Sequence, residues 1–321
     1  MRFTIVVVVT MLGLAESAHA AELSIYEIQY TADPNGTSPL DGTVVDCRGG
    51  IVVHKHEGNR PRLVLQDPNN PLDWGGIQVK GWSYDAFENT DVGDWVRLAN
   101  ILVEDYRGTT FLQFKDGAEL TVISKNNPVP RPLTVRVSEI AAPIEGADEW
   151  IVLDHSAEKY ESMVIKIIDV TVADLNYGKA NDNYVLQSNV DPDQSCWATD
   201  YMNSDNEQIY HPYVQIGQAF CGVTGILEQY AGCSEGICYD YYQLLTMSTE
   251  DFVVDQVADF DFDCDVDFVD FAIFAENWRS DRSAQGGPDW CSRADLTTES
   301  SAGVVDIFDF VIFVERWLEG K

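Results

Sequence analysis

Positive charge is what this chain lacks most. Its 321 residues carry 20 Lys and Arg against 53 Asp and Glu, a formal net charge of −33 with the histidines neutral. The deficit is uneven: residues 22–136 hold 16 acids and 11 bases (net −5), residues 137–257 hold 21 and 3 (−18), and residues 258–321 hold 15 and 5 (−10). Such a field repels phosphate backbones and anionic lipid at long range, which disfavours nucleic acid as a partner for the middle and the tail. The first third has no basic stripe either.

Catalytic signatures are missing too. There is no G-x-S-x-G, no H-E-x-x-H, no glycine-rich phosphate loop and no dinucleotide fingerprint. Beyond the leader only His54, His56, His155 and His211 remain. His54 and His56 fall on one face of a strand, a pattern that more often means two solvent-exposed imidazoles than a metal site. No paired C-x-x-C supports a metal-thiolate cluster. No catalytic residue is assigned on this basis.

Long apolar runs are absent apart from one short segment at the start. Arg2, the apolar stretch Ile5 to Leu14, and Ala18-His19-Ala20 give a positive end, a core too short to span a bilayer, and a small-residue cleavage pattern. Residues 1–20 read as a signal peptide cut between Ala20 and Ala21. The mature protein is therefore expected to be secreted, extracellular and without a membrane span. Export permits disulfides. Of the seven cysteines, spacing pairs Cys264 with Cys291, Cys233 with Cys238 and Cys196 with Cys221. Cys47 is then left free and buried in a strand, and the connectivity stays open.

What the chain does have is repetition. Val92-Gly93-Asp94-Trp95 through Tyr106 aligns with Ile216-Gly217-Gln218-Ala219 through Tyr230. Leu63–Gln66 aligns with Tyr184–Gln187, Phe111–Gln113 with Tyr241–Gln243, and Glu27-Ile28 with Glu139-Ile140. Two copies of one domain are implied, split at a linker of residues 127–134 that holds three prolines. Each copy reads as short strands: Thr43–Lys55, Leu63–Gln66, Ile77–Lys80, Trp95–Glu104 and Thr110–Phe114, then Ser162–Val172, Tyr184–Gln187, Gln218–Gln229 and Tyr239–Thr246. Trp74, Trp82, Tyr84 and Phe87 in the first copy, and Trp197, Tyr201, Tyr210 and Tyr213 in the second, are either core rings or exposed platforms for sugars or bases. The order of strands and turns resembles the OB-fold domains attached to secreted bacterial proteins, over about Leu23–Ser124 and Val135–Phe252.

The tail holds a second duplication. Asp259, Asp261, Asp263, Asp267 and Asp270 occupy positions 1, 3, 5, 9 and 12 of a twelve-residue loop, the spacing with which an EF-hand-type loop surrounds Ca²⁺ with hard oxygen ligands. An apolar helix pattern follows, Phe271 to Trp278. The phrase from Val266 to Trp278 returns as Val305 to Trp317. This tandem, about Val257 to Leu318, resembles a type I dockerin, a pair of calcium loop-helix units that docks secreted proteins onto cohesin modules. The resemblance implies Ca²⁺ bound by the side chains of Asp259, Asp261, Asp263 and Asp270, by the backbone carbonyl of Asp265, and by Asp267 directly or through water. In the second unit Asp295, Thr297, Glu299, Ser300, Asp306 and Asp309 bear oxygen, but that loop is three residues longer. It further implies partner recognition at Phe268, Val269, Ile307 and Phe308, where cellulosomal dockerins usually carry hydroxyl residues. Position 6 of the first loop, where glycine is preferred, is Cys264, a cost on the order of 1 kcal/mol that a bridge to Cys291 would offset.

The expected architecture is mainly β: residues 1–20 signal peptide, 21–126 and 135–254 two tandem OB-like five-stranded barrels, and 255–321 a small α-helical, dockerin/EF-hand-like module. The expected function is non-catalytic calcium binding and docking, to a cohesin-like module or a cell-surface component, with polysaccharide a further candidate ligand in extracellular polysaccharide degradation. A rival reading is a hydrolase of glycosidic bonds with an acidic site in the second barrel, since such carboxyl pairs are recognised by separation in space and not in sequence. A third, nucleic-acid binding, is implied by the OB resemblance and opposed by the charge.

Overall fold

A computed structural model describes residues 22–33, 36–57, 61–81, 87–140, 142–146, 148–175, 183–200, 214–234, 236–254, 257–261, 263–282, 291, 293–297 and 303–317. The signal peptide expected at 1–20 lies outside the described residues. In the first unit, β1 (Val44–His56), β2 (Arg62–Gln66), β3 (Gly76–Lys80), β4 (Trp95–Tyr106), β5 (Thr109–Gln113) and β6 (Glu119–Ser124) pair in the order β1-β2-β3-β5-β4-β6. Because β4 also pairs with β1, the circuit β1-β2-β3-β5-β4 closes into a five-stranded barrel, antiparallel except between β3 and β5. Its core is aliphatic, Val52, Leu63, Leu65, Ile77, Val79, Val96, Leu98 and Leu112, with Phe87 wholly buried among them.

The second unit comprises β7 (Leu133–Val135), β8 (Ile144–Glu145), β9 (Glu149–Ile151), β10 (Val164–Asp174), β11 (Tyr184–Ser188), β12 (Ser195–Thr199), β13 (Ala219–Ser234), β14 (Ile237–Leu245) and β15 (Phe252–Val253). The circuit β10-β11-β12-β14-β13 closes in the same order, and its parallel pair, β12 with β14, matches β3 with β5. This connectivity is OB-like in both copies.

The aligned residues perform the same local jobs. Gly93 and Gly217 both adopt positive φ (89° and 84°) in the turn before the fourth barrel strand. There Gly93 N–H donates to Val52 O, and Gly217 N–H donates to Val172 O. Glu27, in helix α1 (Ile25–Gln29), accepts through its side chain from the N–H of Ser24, and Glu139 does the same for Arg136. Each glutamate thus caps a first helical turn, reciprocally at Ser24, whose Oγ accepts from Glu27 N–H.

Several strands lay outside the sequence reading, β6 and β12 among them. Ser195-Cys196-Trp197-Ala198-Thr199 is short and lacks clear alternation, yet as β12 it buries Trp197 to 1% exposure against Tyr241, at 4.4 Å between rings. Trp197 and Phe87 are core, not ligand platforms. Trp82, Tyr84, Tyr201, Tyr210 and Tyr213 lie outside the described residues. His56 is buried and His54 half-buried, against the exposure expected of them, and neither belongs to a candidate metal cluster among the described residues.

The two barrels share a seam. All five residues of β2 and all five of β5 are buried, where strands of a free-standing barrel would alternate. Val64 packs with Val164, Ile226 and Leu245. Around this small apolar patch the contacts are polar: Val164 N–H donates to Gln66 Oε1, Thr109 Oγ1 donates to Gln229 O, and Ala231 N–H donates to Arg107 O. Arg62 reaches Glu228 at 3.5 Å, both side chains largely buried. The face of strands 2 and 3 is where OB barrels take oligonucleotides and oligosaccharides. In the first unit the second barrel covers it.

Helices α2 (Phe268–Glu276) and α3 (Ile307–Glu315) follow the barrels and share a separate cluster of Phe260, Val266, Phe274, Cys291, Val305 and Phe313. Among the described residues no helix is long and apolar enough to cross a membrane. Placing Trp197 in the core has a measurable consequence. Trp197→Ala is expected to cost about 3–5 kcal/mol in chemical denaturation, against about 1 kcal/mol for half-buried Trp74, whose ring meets Tyr30 edge-on. Equal effects would contradict the assignment.

Candidate metal centre

The first acidic loop is built by backbone N–H groups donating to carboxylates. Asp267 caps α2, accepting from Val269 N–H at 2.7 Å. Asp270, fully buried, closes the loop upon itself: Oδ2 accepts from Asp267 N–H at 2.7 Å and Oδ1 from Phe260 N–H at 2.6 Å. At the other end Asp259 Oδ2 accepts from Cys264 N–H at 2.9 Å, and Asp263 Oδ1 from Asp265 N–H at 3.1 Å. Cys264 sits at φ 67°, the left-handed conformation that position 6 demands.

Two trios of carboxylates form as a result. Ligand atoms of Asp259, Asp261 and Asp263 lie within 4.8 Å of one another, and so do those of Asp265, Asp267 and Asp270. Burial, then repulsion from Asp263, Asp270 and Asp259, pushes the Asp261 carboxyl up to about 6. An all-oxygen, polyanionic donor set of this kind suits a hard divalent cation, and Ca²⁺ above smaller Mg²⁺, which prefers to keep its waters. These residues fit the ion that the sequence implies.

The second loop repeats the frame, and its hydrogen bonds locate the extra length. Asp306 caps α3, accepting from Phe308 N–H at 2.8 Å. Asp309 Oδ2 accepts from Asp306 N–H, and its Oδ1 from Leu296 and Thr297 N–H. Asp295 Oδ2 accepts from Gly303 N–H at 2.7 Å, and Gly303 has φ 100°. Gly303 is therefore the counterpart of Cys264, and the additional residues fall between Thr297 and Gly303. The sequence reading missed Gly303, although a glycine three residues before an N-cap aspartate was the available signal. Glu299 and Ser300 lie outside the described residues. Among the described residues, Asp295, Asp306 and Asp309 are the carboxylates placed in the second loop, fewer than in the first.

The disulfide at position 6 differs from expectation. Cys264 is bonded to Cys221 on β13, with Cα atoms 5.5 Å apart, and not to Cys291. The pairing of Cys196 with Cys221 fails for the same reason, while Cys233–Cys238 stands. Cys291 is buried in the helix cluster and Cys196 in the second barrel's core, where burial pushes its thiol up to about 12. Nearness in sequence favoured Cys291, but the loop folds back against β13, and spatial distance decides which thiols meet. Cys221 and Cys264 also stand beside Asp259. Their sulfurs are bonded to each other, so this trio offers a metal only the carboxylate.

The four residues assigned to partner recognition are all open to solvent: Phe268 at 74%, Val269 at 52%, Ile307 at 55% and Phe308 at 59% exposure. The two helices bury one stripe each. Phe274 and Phe313 stack on Phe260 between them, at 6.4 and 6.0 Å. Phe268 and Ile307 hold equivalent places at the start of α2 and α3, as do Val269 and Phe308 one residue on, all outside that stack.

No protein-family model matches the chain, and no curated protein matches it. Among solved structures, it is similar to a murine DNA-binding protein bound with double-stranded DNA, at 9% identity over 65% of this chain and 97% of that one, with a TM-score of 0.31. It is also similar to fission yeast Pot1 with single-stranded DNA (13% identity, 72% and 85%, TM-score 0.27) and to the tetrameric p202 HIN2 (18%, 33% and 50%, 0.26). The chain thus spans half the length of the last. Superpositions this loose carry no argument about what this chain binds.

Calorimetric titration of the full chain with CaCl2 checks the centre. Asp270→Ala is expected to weaken binding by at least about 10–100-fold, the range seen when a supporting residue alone is lost. Cys221→Ser, which frees Cys264 to leave its positive φ, is expected to weaken it about fivefold, the equivalent of about 1 kcal/mol.

Proposed function

We propose that this protein is an exported, non-catalytic, calcium-binding docking protein. In this reading its two OB-like barrels carry a dockerin-like C-terminal module that attaches them to a cohesin-like protein or a cell-surface component, in the setting of extracellular polysaccharide degradation. One observation carries the proposal. Two loop-helix units, capped alike by Asp267 with Asp270 and by Asp306 with Asp309, each leave apolar side chains in water where their helix starts, Phe268 and Val269 on one and Ile307 and Phe308 on the other. Exposed apolar residues repeated at the same place on two small helices are the character of a protein-binding surface.

Calcium is structural in this proposal. Carboxylates held in trios within 4.8 Å repel one another, and a divalent cation relieves that repulsion. The recognition side chains start directly beyond the capping aspartates, so the ion orders the surface the partner meets. The apolar chemistry here differs from the hydroxyl residues of cellulosomal dockerins. The partner is therefore expected to offer a greasy pocket.

A polysaccharide ligand is assigned to the barrels, away from the first barrel's covered face. The net charge of −33 favours a neutral polysaccharide over nucleic acid. The hydrolase reading fares worse. The two carboxyls that burial most strongly keeps protonated, Glu158 and Glu161, are sealed in the seam between barrels, at 5% and 2% exposure, where no sugar chain reaches.

The test is surface plasmon resonance of the full chain over immobilised cohesin modules and a panel of neutral polysaccharides, with calcium and with chelator. Calcium-dependent capture by a cohesin, reduced at least about tenfold by Phe268→Ser with Phe308→Ser, is the expected result. Capture that ignores both calcium and these substitutions contradicts the docking role.

A further inference from the structure

The seam between the barrels carries a second carboxyl cluster, unrelated to the calcium loops. The 3-10 turn Ser156–Tyr160 of the second unit, with Glu161 just after it, presses two acids toward the first unit. Glu161 Oε1 accepts from Thr110 N–H of β5 at 3.0 Å and from Gln29 Nε2 of α1 at 3.4 Å, while Glu161 Oε2 is buried with no hydrogen-bond partner. Glu158 lies against Gly36 of the first unit, so close that a Cβ there would come within 2.7 Å of its carboxyl carbon. Its Oε2 accepts from Tyr242 Oη–H at 2.8 Å. Both acids thus belong to one barrel and make contacts on the other.

Among the described residues no salt bridge to either acid is found. The charges acting on the pair from elements packed around it are Asp105 of β4 and Asp240 of β14, both acidic. The nearby cations are engaged elsewhere. Lys159 lies over the ring of Tyr160, with Glu139 at 4.0 Å, Arg107 donates to Tyr230 Oη, and Arg62 faces Glu228. Lys80 sits over the ring of Phe111, and His155 is 3.5 Å from Asp240. Burying one ionised carboxylate without a partner is costly, and burying two side by side more so.

We propose that this seam is a pH-operated latch, in which Glu158 and Glu161 hold the two barrels together while protonated and drive them apart when ionised. The direction follows from burial. Desolvation raises Glu158 from an ordinary 4.5 to about 8, and desolvation together with Glu158 raises Glu161 well above its ordinary value. The docked state therefore binds more protons than the open one. Its advantage is complete below about pH 4.5 and is lost as pH rises through about 8. Within that window each carboxyl shifts the docking equilibrium about tenfold per pH unit. Opening would uncover β2, β3 and β5, the first barrel's ligand-type face.

The experiment follows the full chain by small-angle X-ray scattering from pH 5 to pH 9, with calcium present throughout so that the acidic loops stay neutralised. The radius of gyration is expected to grow between neutrality and pH 9, and to stay constant in Glu158→Gln with Glu161→Gln. A radius that is flat in the native chain, or that grows equally in the double variant, overturns the proposal. Infrared spectroscopy of the native chain gives a reading independent of any variant. The carbonyl band of protonated carboxyl groups should persist at pH 6.5, where ordinary carboxyls have ionised, and vanish as the particle expands. Its absence at pH 6.5 would equally overturn the latch.

Discussion

Mutual repulsion among carboxylates is the constraint on which this structure depends. A chain with 33 more acids than bases cannot pair its negative charge with its own side chains. On the surface, water and salt screen the excess. Where acids must be buried, something else has to neutralise or solvate them, and the molecule uses different agents in different places. Backbone N–H groups serve Asp270 and Asp309, two wholly buried aspartates that each close a loop. The loop frame gathers further carboxylates into trios of a chemistry that suits a hard cation. At the seam neither amides nor cations suffice, and protons take that part.

Much of this was legible in the residues. The barrel duplication could be read because the positions that repeat do backbone work. Gly93 and Gly217 make the same turn at positive φ, and Glu27 and Glu139 make the same cap. The loop frame was legible for a similar reason, since capping aspartates and a periodic helix leave a fixed spacing. Strand β12 was not, because five residues with a tryptophan in the middle carry no period of their own. Its place is set by pairing with β11 and β14.

What escaped the sequence depends on distance in space. Cys264 was assigned to the nearest unclaimed cysteine in its own module, yet the partner is Cys221, 43 residues upstream on β13. That bond welds the first acidic loop to the second barrel, so the C-terminal helices are not a freely swinging appendage. Glu158 and Glu161 escaped altogether. In Asp154-His155-Ser156-Ala157-Glu158-Lys159-Tyr160-Glu161 they look like surface acids, and only the arrival of the first barrel buries them.

The central claim is that a cation organises the acidic loops while the barrels stand without it. Amide hydrogen exchange of the full chain, with calcium and with chelator, tests this most directly. The account predicts that calcium slows exchange at Phe260, Cys264 and Asp267, with weaker protection at Gly303 and Asp306, and leaves β2 to β5 unchanged. Loops that exchange at the same rate with and without calcium would contradict it.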